Sequence, residues 1–188
     1  MLWRSLLLAA ATAVASVSAV DFNLPCKDVA RTEKYAAQID AASKTFKVRS
    51  FAQTFDQDKE VWHEVKAIQE VEGTGAAVYL NDANIPVAAF FTFQTGSGDW
   101  ILDVAYYYRL DGSLAKRHER LNTFYGHLTV LRDAFFDCKG VKYHSTVDFL
   151  DLKTQKHVKP GPDFIDEQAP DYPAIQRLPF YPLLREKR

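Results

Sequence analysis

Asp103 and His118 are the two residues whose types and relation could do acid and base chemistry: a carboxylate beside an imidazole that titrates near neutral pH. They become neighbours only if the segment ending at Leu110 pairs with the one starting at Leu114 through a two-residue Asp111-Gly112 loop. In that register Asp103 faces Arg120, Ala105 faces His118 and Tyr107 faces Lys116, with all six side chains on one face and Asp103 diagonal to His118. Tyr107, Arg109, Lys116 and Arg120 are then candidate binding residues around the catalytic candidates Asp103 and His118. The plainer alternative is a solvated sheet face laced with cross-strand ion pairs, each worth ~0 to 1 kcal/mol. No metal site is expected, because His63, His118, His127, His144 and His157 are scattered and only His118, His127 and His144 could converge. No nucleotide loop, nucleophile elbow, His-Glu-x-x-His or calcium loop occurs, and no cofactor is expected.

The elements that must position these residues are strands. In Trp100–Leu110 the even positions Trp100, Leu102, Val104, Tyr106, Tyr108 and Leu110 are apolar or aromatic, which is the period of a half-buried strand. Val87–Thr95 is almost continuously apolar and reads as a central strand. Leu114–Thr123 also has helical spacing at Leu114, His118, Leu121 and Tyr125, but the hairpin signal before it favours an antiparallel strand, and its charges suit an edge or a solvated face. Leu128–Phe136 and Val141–Leu152 form another hairpin about Lys139-Gly140. There Phe136 is set against Tyr143, Ala134 against Ser145, Val130 against Phe149 and Asp137 against Lys142.

Earlier in the chain, Val29, Tyr35, Ala36, Ile39, Ala42 and Phe46 predict an amphipathic helix from Asp28 to about Lys44. Lys47–Phe55 is a weak strand or extended link. Val61, Trp62, Val65, Ile68 and Val71 make a second helical stripe after acids at 56–60, with Gly73 as its cap, although His63–Gln69 also alternates as a strand would. Ala76–Leu80 is a short strand. The fold class is therefore α+β: N-terminal helices packed on a curved, mainly antiparallel meander of about six strands.

Compartment and partners follow from the two ends of the chain. Met1–Ala19 carries Arg4, an apolar run from Leu6 to Val17 and small residues at Val-Ser-Ala, the pattern of a secretory leader cut after Ala19. Removing it leaves residues 20–159 as one α+β domain and 160–188 as an extended tail, with 22 basic against 24 acidic residues. That balance speaks against nucleic acid as a partner, and no transmembrane segment remains after cleavage. The secreted or periplasmic setting is oxidising, so Cys26 and Cys138 are expected to pair, closing a loop of about 110 residues. Six of the eight prolines lie between Pro160 and Pro182, interleaved with Phe164, Tyr172, Phe180 and Tyr181. This composition excludes helix and central strand yet carries too much apolar area for a free linker, so the tail is expected to lie docked along the domain. The function expected is a non-catalytic module that binds a protein partner or an apolar small molecule. An enzyme of a cone-shaped α+β fold using Asp103 and His118 is the alternative, and a structural envelope component is a third.

Overall fold

A computed structural model describes residues 20–56, 59–66, 73–161, 164 and 166–186. The expected leader, 1–19, lies outside the described residues. The architecture is α+β: helix α1 (Val29–Ala42) precedes eight antiparallel strands in one open sheet. These are β1 (Lys47–Asp56), β2 (Lys59–Val65), β3 (Gly75–Leu80), β4 (Pro86–Gln94), β5 (Trp100–Tyr108), β6 (Leu114–Thr123), β7 (Leu128–Phe136) and β8 (Lys142–Asp151). Their order across the sheet is β2-β1-β3-β4-β5-β6-β7-β8, so β2 is one edge and β8 the other. A short helix, α2 (Tyr181–Arg185), follows near the C-terminus.

Helix α1 starts where the side chain of Asp28 accepts the Arg31 amide at 3.0 Å, satisfying a donor that the first turn leaves open. Its stripe Thr32, Tyr35, Ala36, Ile39 and Ala42 is buried. Tyr35, Ala36 and Ile39 pack with Val87, Ala88, Ala105 and Tyr107 of β4 and β5 in one apolar cluster, and the Tyr35 hydroxyl donates to the Tyr108 carbonyl. We call this side of the sheet the helix face.

Two expectations require correction. The second helix is a strand instead: β2 runs from Lys59 to Val65 and pairs with β1 from Asp56↔Lys59 to Ser50↔Val65. Its helical stripe lost to tertiary context, for β1 offers a full ladder and Trp62 reaches the sheet core, edge-on to Phe91 and 5.1 Å from Phe180. Ile68 and Val71 lie outside the described residues, and Gly73, at φ 103, belongs to the approach to β3. The strand count accordingly rises from six to eight, with β1 a ten-residue interior strand. The second correction concerns β6. It is a strand, as preferred, but an interior one between β5 and β7, with Lys116, Arg117 and Glu119 buried rather than solvated.

The β5–β6 register has Asp103↔Arg120, Ala105↔His118 and Tyr107↔Lys116, then shifts by one residue at Tyr107/Tyr108. The loop therefore holds three residues, not two: the Arg109 amide donates to Ser113 O, the Gly112 amide donates back to Arg109 O, and Gly112 takes φ 84. The β7–β8 hairpin repeats the device. Ala134↔Ser145 and Val130↔Phe149 match the expected register, but a shift at Phe135/Phe136 places Phe136 against Lys142 and leaves Asp137 to bond Val141 across a loop with Gly140 at φ 75. Asp137 consequently faces Lys27 at 3.7 Å and not Lys142. Cys26 is disulfide-bonded to Cys138 in that loop, which joins the approach to α1 to the hairpin tip.

Candidate functional site

On the helix face the sequence-predicted residues divide among different partners. Asp103 accepts a hydrogen bond from Thr92 Oγ1 at 2.8 Å, one strand away from His118. The carboxylate beside His118 is Asp133, its cross-strand partner on β7, with Nδ1 and Oδ1 2.9 Å apart. Lys116 is buried between Glu33 of α1 at 2.6 Å and Asp133 at 2.9 Å, with its ammonium over the Phe135 ring. Burial alone would push the Asp133 carboxyl up, but hydrogen bonds from His118 and Lys116 and the Lys116 charge hold it below the usual carboxylate range. The Tyr107 hydroxyl donates to Asp40 of α1, and burial together with that carboxylate pushes its pKa well up, so it stays protonated. Arg120 reaches Gln155 at 3.1 Å. Lys116 thus ties α1 to β6 and, through Asp133, to β7, and the Tyr107–Asp40 bond ties α1 to β5.

Arg109 closes the loop of the β5–β6 hairpin and reaches the tip of the β7–β8 hairpin. Its guanidinium is buried and donates to Leu114 O at 2.7 Å and Phe136 O at 2.8 Å, with longer contacts to Asp137 O and Cys26 O. A fork of donors meets a cluster of main-chain carbonyls there, which a lysine could not satisfy.

The opposite face carries a second, larger constellation, none of it among the candidates from sequence. Residues 166–184 cross this face, and side chains from four strands bond to their main chain. Arg132 on β7 donates to Glu167 O at 3.3 Å and pairs with Asp166. Arg117 on β6 donates to Ala169 O at 3.0 Å and pairs with Asp171, while Glu119 Oε1 accepts the Ala169 amide at 3.0 Å. On β5 the Tyr106 hydroxyl donates to Pro170 O at 2.8 Å and the Tyr108 hydroxyl to Tyr172 O at 3.3 Å. Leu114 N donates to Pro173 O, and Ile175 N to Gly112 O. Finally, Arg49 on β1 donates to Leu183 O and Leu184 O while held bidentate by Glu64.

Apolar anchors alternate with those bonds. Phe180 stacks on Phe51 at 4.3 Å and contacts Trp62 and Phe91; Tyr172 lies against Phe91 and Tyr106. Ala169, Ile175, Leu178 and Phe180 are buried in one cluster with Phe51, Val78, Phe91, Leu102, Val104 and Leu121 of the sheet. Beneath the polar contacts Glu119 is fully buried, 3.1 Å from Arg117 Nε and 3.6 Å from Arg132 Nη1. Burial pushes the Tyr106 and Tyr108 hydroxyls well above the ordinary tyrosine value, so both remain donors at any pH the protein meets.

The missed signal lay in the same register that placed the helix-face candidates. Tyr106↔Arg117 and Val104↔Glu119 put two charges on the apolar face of β5. Charges on a buried face demand a polar partner there, and the tail's main chain is that partner.

No three or more His, Cys, Asp or Glu side chains among the described residues are grouped to hold a metal ion. A cavity of about 660 Å3 opens where α2 meets β1 and β3, lined in part by Lys47, Arg49, Leu80, Tyr181 and Leu184, and a smaller one of about 320 Å3 lies beside Tyr35 and Gln38. Neither is lined by Asp103, His118 or Tyr107. No protein-family model, no curated protein and no solved structure matches this chain.

Proposed function

We propose that this is a secreted or periplasmic, non-catalytic binding module whose tail-bearing sheet face is a receptor for a largely extended, proline- and aromatic-rich polypeptide, occupied in the free protein by residues 166–186 of its own tail. The observation that carries this reading is the set of donors from Arg49, Tyr106, Tyr108, Arg117 and Arg132 to main-chain carbonyls of 167–184. The contacts of Tyr106, Tyr108, Arg117 and Arg132 to the carbonyls of 167–172 recognise an extended conformation, Arg49 binds the carbonyls of the short helix α2 that follows, and the aromatic anchors at Tyr172 and Phe180 supply affinity and register. Residues 20–159 act as the receptor and 160–188 as a docked strap. The leader at 1–19 directs export, and the Cys26–Cys138 bond is consistent with an extracellular location. No helix among the described residues is long and apolar enough to cross a membrane.

The test is exchange. A protease site built into the exposed 159–161 segment allows the chain to be cut after folding, and a fluorescent peptide of residues 164–186 is then titrated in. Saturable uptake is expected, blocked when Leu178 and Phe180 of the peptide are alanine and retained when Gln168 and Gln176 are. A cut protein that takes up no peptide contradicts the reading. The catalytic alternative retains one supporting observation, the contact between His118 and Asp133, and would need Asp133 rather than Asp103 as the partner carboxylate.

A further inference from the structure

The tail is bonded through different groups at different positions, and that pattern restricts which sequences the face accepts. Arg117 and Glu119 stand two residues apart on β6, on the same face, and together they hold both polar groups of one residue: Glu119 Oε1 accepts the Ala169 amide and Arg117 donates to the Ala169 carbonyl, each at 3.0 Å. Ala169 is 7 % exposed and Glu119 fully buried, so a residue without an N–H at this position takes a donor away from a carboxylate that water does not reach. The prolines stand where a carbonyl is used instead. Pro170 O accepts from Tyr106 and Pro173 O from the Leu114 amide, whereas the amides of 169 and 175, both donors to the domain, belong to Ala169 and Ile175.

Charge on this face is one-sided as well. The side chains of Arg117 and Arg132, 8 % and 12 % exposed, share the buried carboxylate of Glu119 at 3.1 and 3.6 Å. Two guanidiniums against one carboxylate leave a positive charge that is costly to cover without a partner. The tail supplies the partners, Asp166 to Arg132 and Asp171 to Arg117. At the far end of the face Arg49 is already paired with Glu64, and the tail meets it with the carbonyls of Leu183 and Leu184.

We infer that the polypeptides this face takes in trans are acidic, with two carboxylates five residues apart, a residue other than proline three positions after the first, and an aromatic directly after the second, the arrangement of Asp166, Ala169, Asp171 and Tyr172. Arg132 and Arg117 select the acids, Glu119 rejects proline, and Phe91 and Tyr106 receive the aromatic ring. A neutral or basic proline-rich segment presents the same carbonyls and is still refused, because it leaves covered guanidinium charge unpaired. The inference rests on the receptor reading above and assigns the specificity of that face.

Competition on the protein cut at 159–161 separates the two claims. The fluorescent peptide of residues 164–186 is displaced by unlabelled versions of itself. The version with Asp166→Lys and Asp171→Lys should compete more than about tenfold less well than the parent. Ala169→Pro should compete about a hundredfold less well, and Ala169→Gly, which keeps the amide, within about threefold of the parent. Arg132→Gln in the protein should abolish discrimination between the parent peptide and its Asp166→Asn version while preserving that against Asp171→Asn, a position-specific result that a general loss of packing does not produce. Lysine- or proline-bearing peptides that compete as well as the parent overturn the inference and leave the receptor reading intact, as does discrimination at 166 that survives Arg132→Gln. A parent peptide that is not taken up overturns both.

Discussion

Arg109 shows how a single side chain can be assigned to the right face and the wrong task. Cross-strand pairing puts it beside Tyr107, where it reads as a candidate binding residue; its donors instead close on Leu114 O and Phe136 O, carbonyls contributed by two successive hairpins. Pair rules within a sheet carry no information about such a junction, so nothing in the sequence revealed it. Arg109→Lys should lower stability by about 2 to 4 kcal/mol in urea unfolding, because buried carbonyls lose their donors and an ammonium cannot fork between them. Asp133 gives a pH prediction. Its folded pKa is depressed by bonds from His118 and Lys116, so its contribution is fully present above the unfolded carboxylate value of about 4 and is lost as the pH falls through the lower folded value. Asp133→Asn should flatten the acid limb of a stability profile; an unchanged slope below pH 4 would mean that the carboxylate is not engaged.

The elements were legible wherever one local signal dominated. The stripe of α1 and the alternation of β5 are examples, and the antiparallel α+β architecture and the Cys26–Cys138 bond followed from such signals. Two elements were misread, β2 because the strand it pairs with, the adjacent β1, alternates too poorly to announce itself, and β6 because its deciding partners include groups distant in sequence. Val61, Trp62 and Val65 fit a helix until β1 supplies a ladder for them, and the charges of β6 fit an edge until Glu33, Asp133 and the tail supply counter-groups. The hairpin tips hold three-residue loops in which glycine serves two needs at once. Gly140 sits at φ 75, and a Cβ there would come within 3.0 Å of Pro173 Cβ. Gly140→Ala should therefore cost about 1 to 2 kcal/mol in thermal unfolding, whereas Gly96→Ala, with nothing within 4 Å, should stay within about 0.5 kcal/mol of the parent. Reducing the Cys26–Cys138 bond, which spans 112 residues, should lower stability by up to ~4 kcal/mol in matched unfolding curves with and without reductant.

At the scale of the molecule, the sheet has two different faces: one met by α1 through Tyr35, Ile39 and paired charge, the other by residues 166–184 through carbonyl contacts and aromatic anchors. The helix-face candidates were placed in the correct register because β5 and β6 are adjacent in sequence. The tail-face set could not be assembled in the same way, since Arg49, Tyr106, Arg117 and Arg132 converge only on a segment that follows every strand. If the tail face is a polypeptide receptor, the tail contributes to stability as a ligand does, and separating the two must show both a loss and its recovery. The measurement is the denaturation midpoint of a chain ending at Lys159, taken alone and with rising concentrations of a peptide of residues 164–186. Burial of Tyr172, Ile175, Leu178 and Phe180 predicts a drop of several kcal/mol, about 25 cal/mol per Å2 of apolar area before ordering costs. It also predicts saturable recovery of that loss when the peptide is added. A truncated chain with the midpoint of the whole protein, or one that the peptide leaves unchanged, would contradict the account.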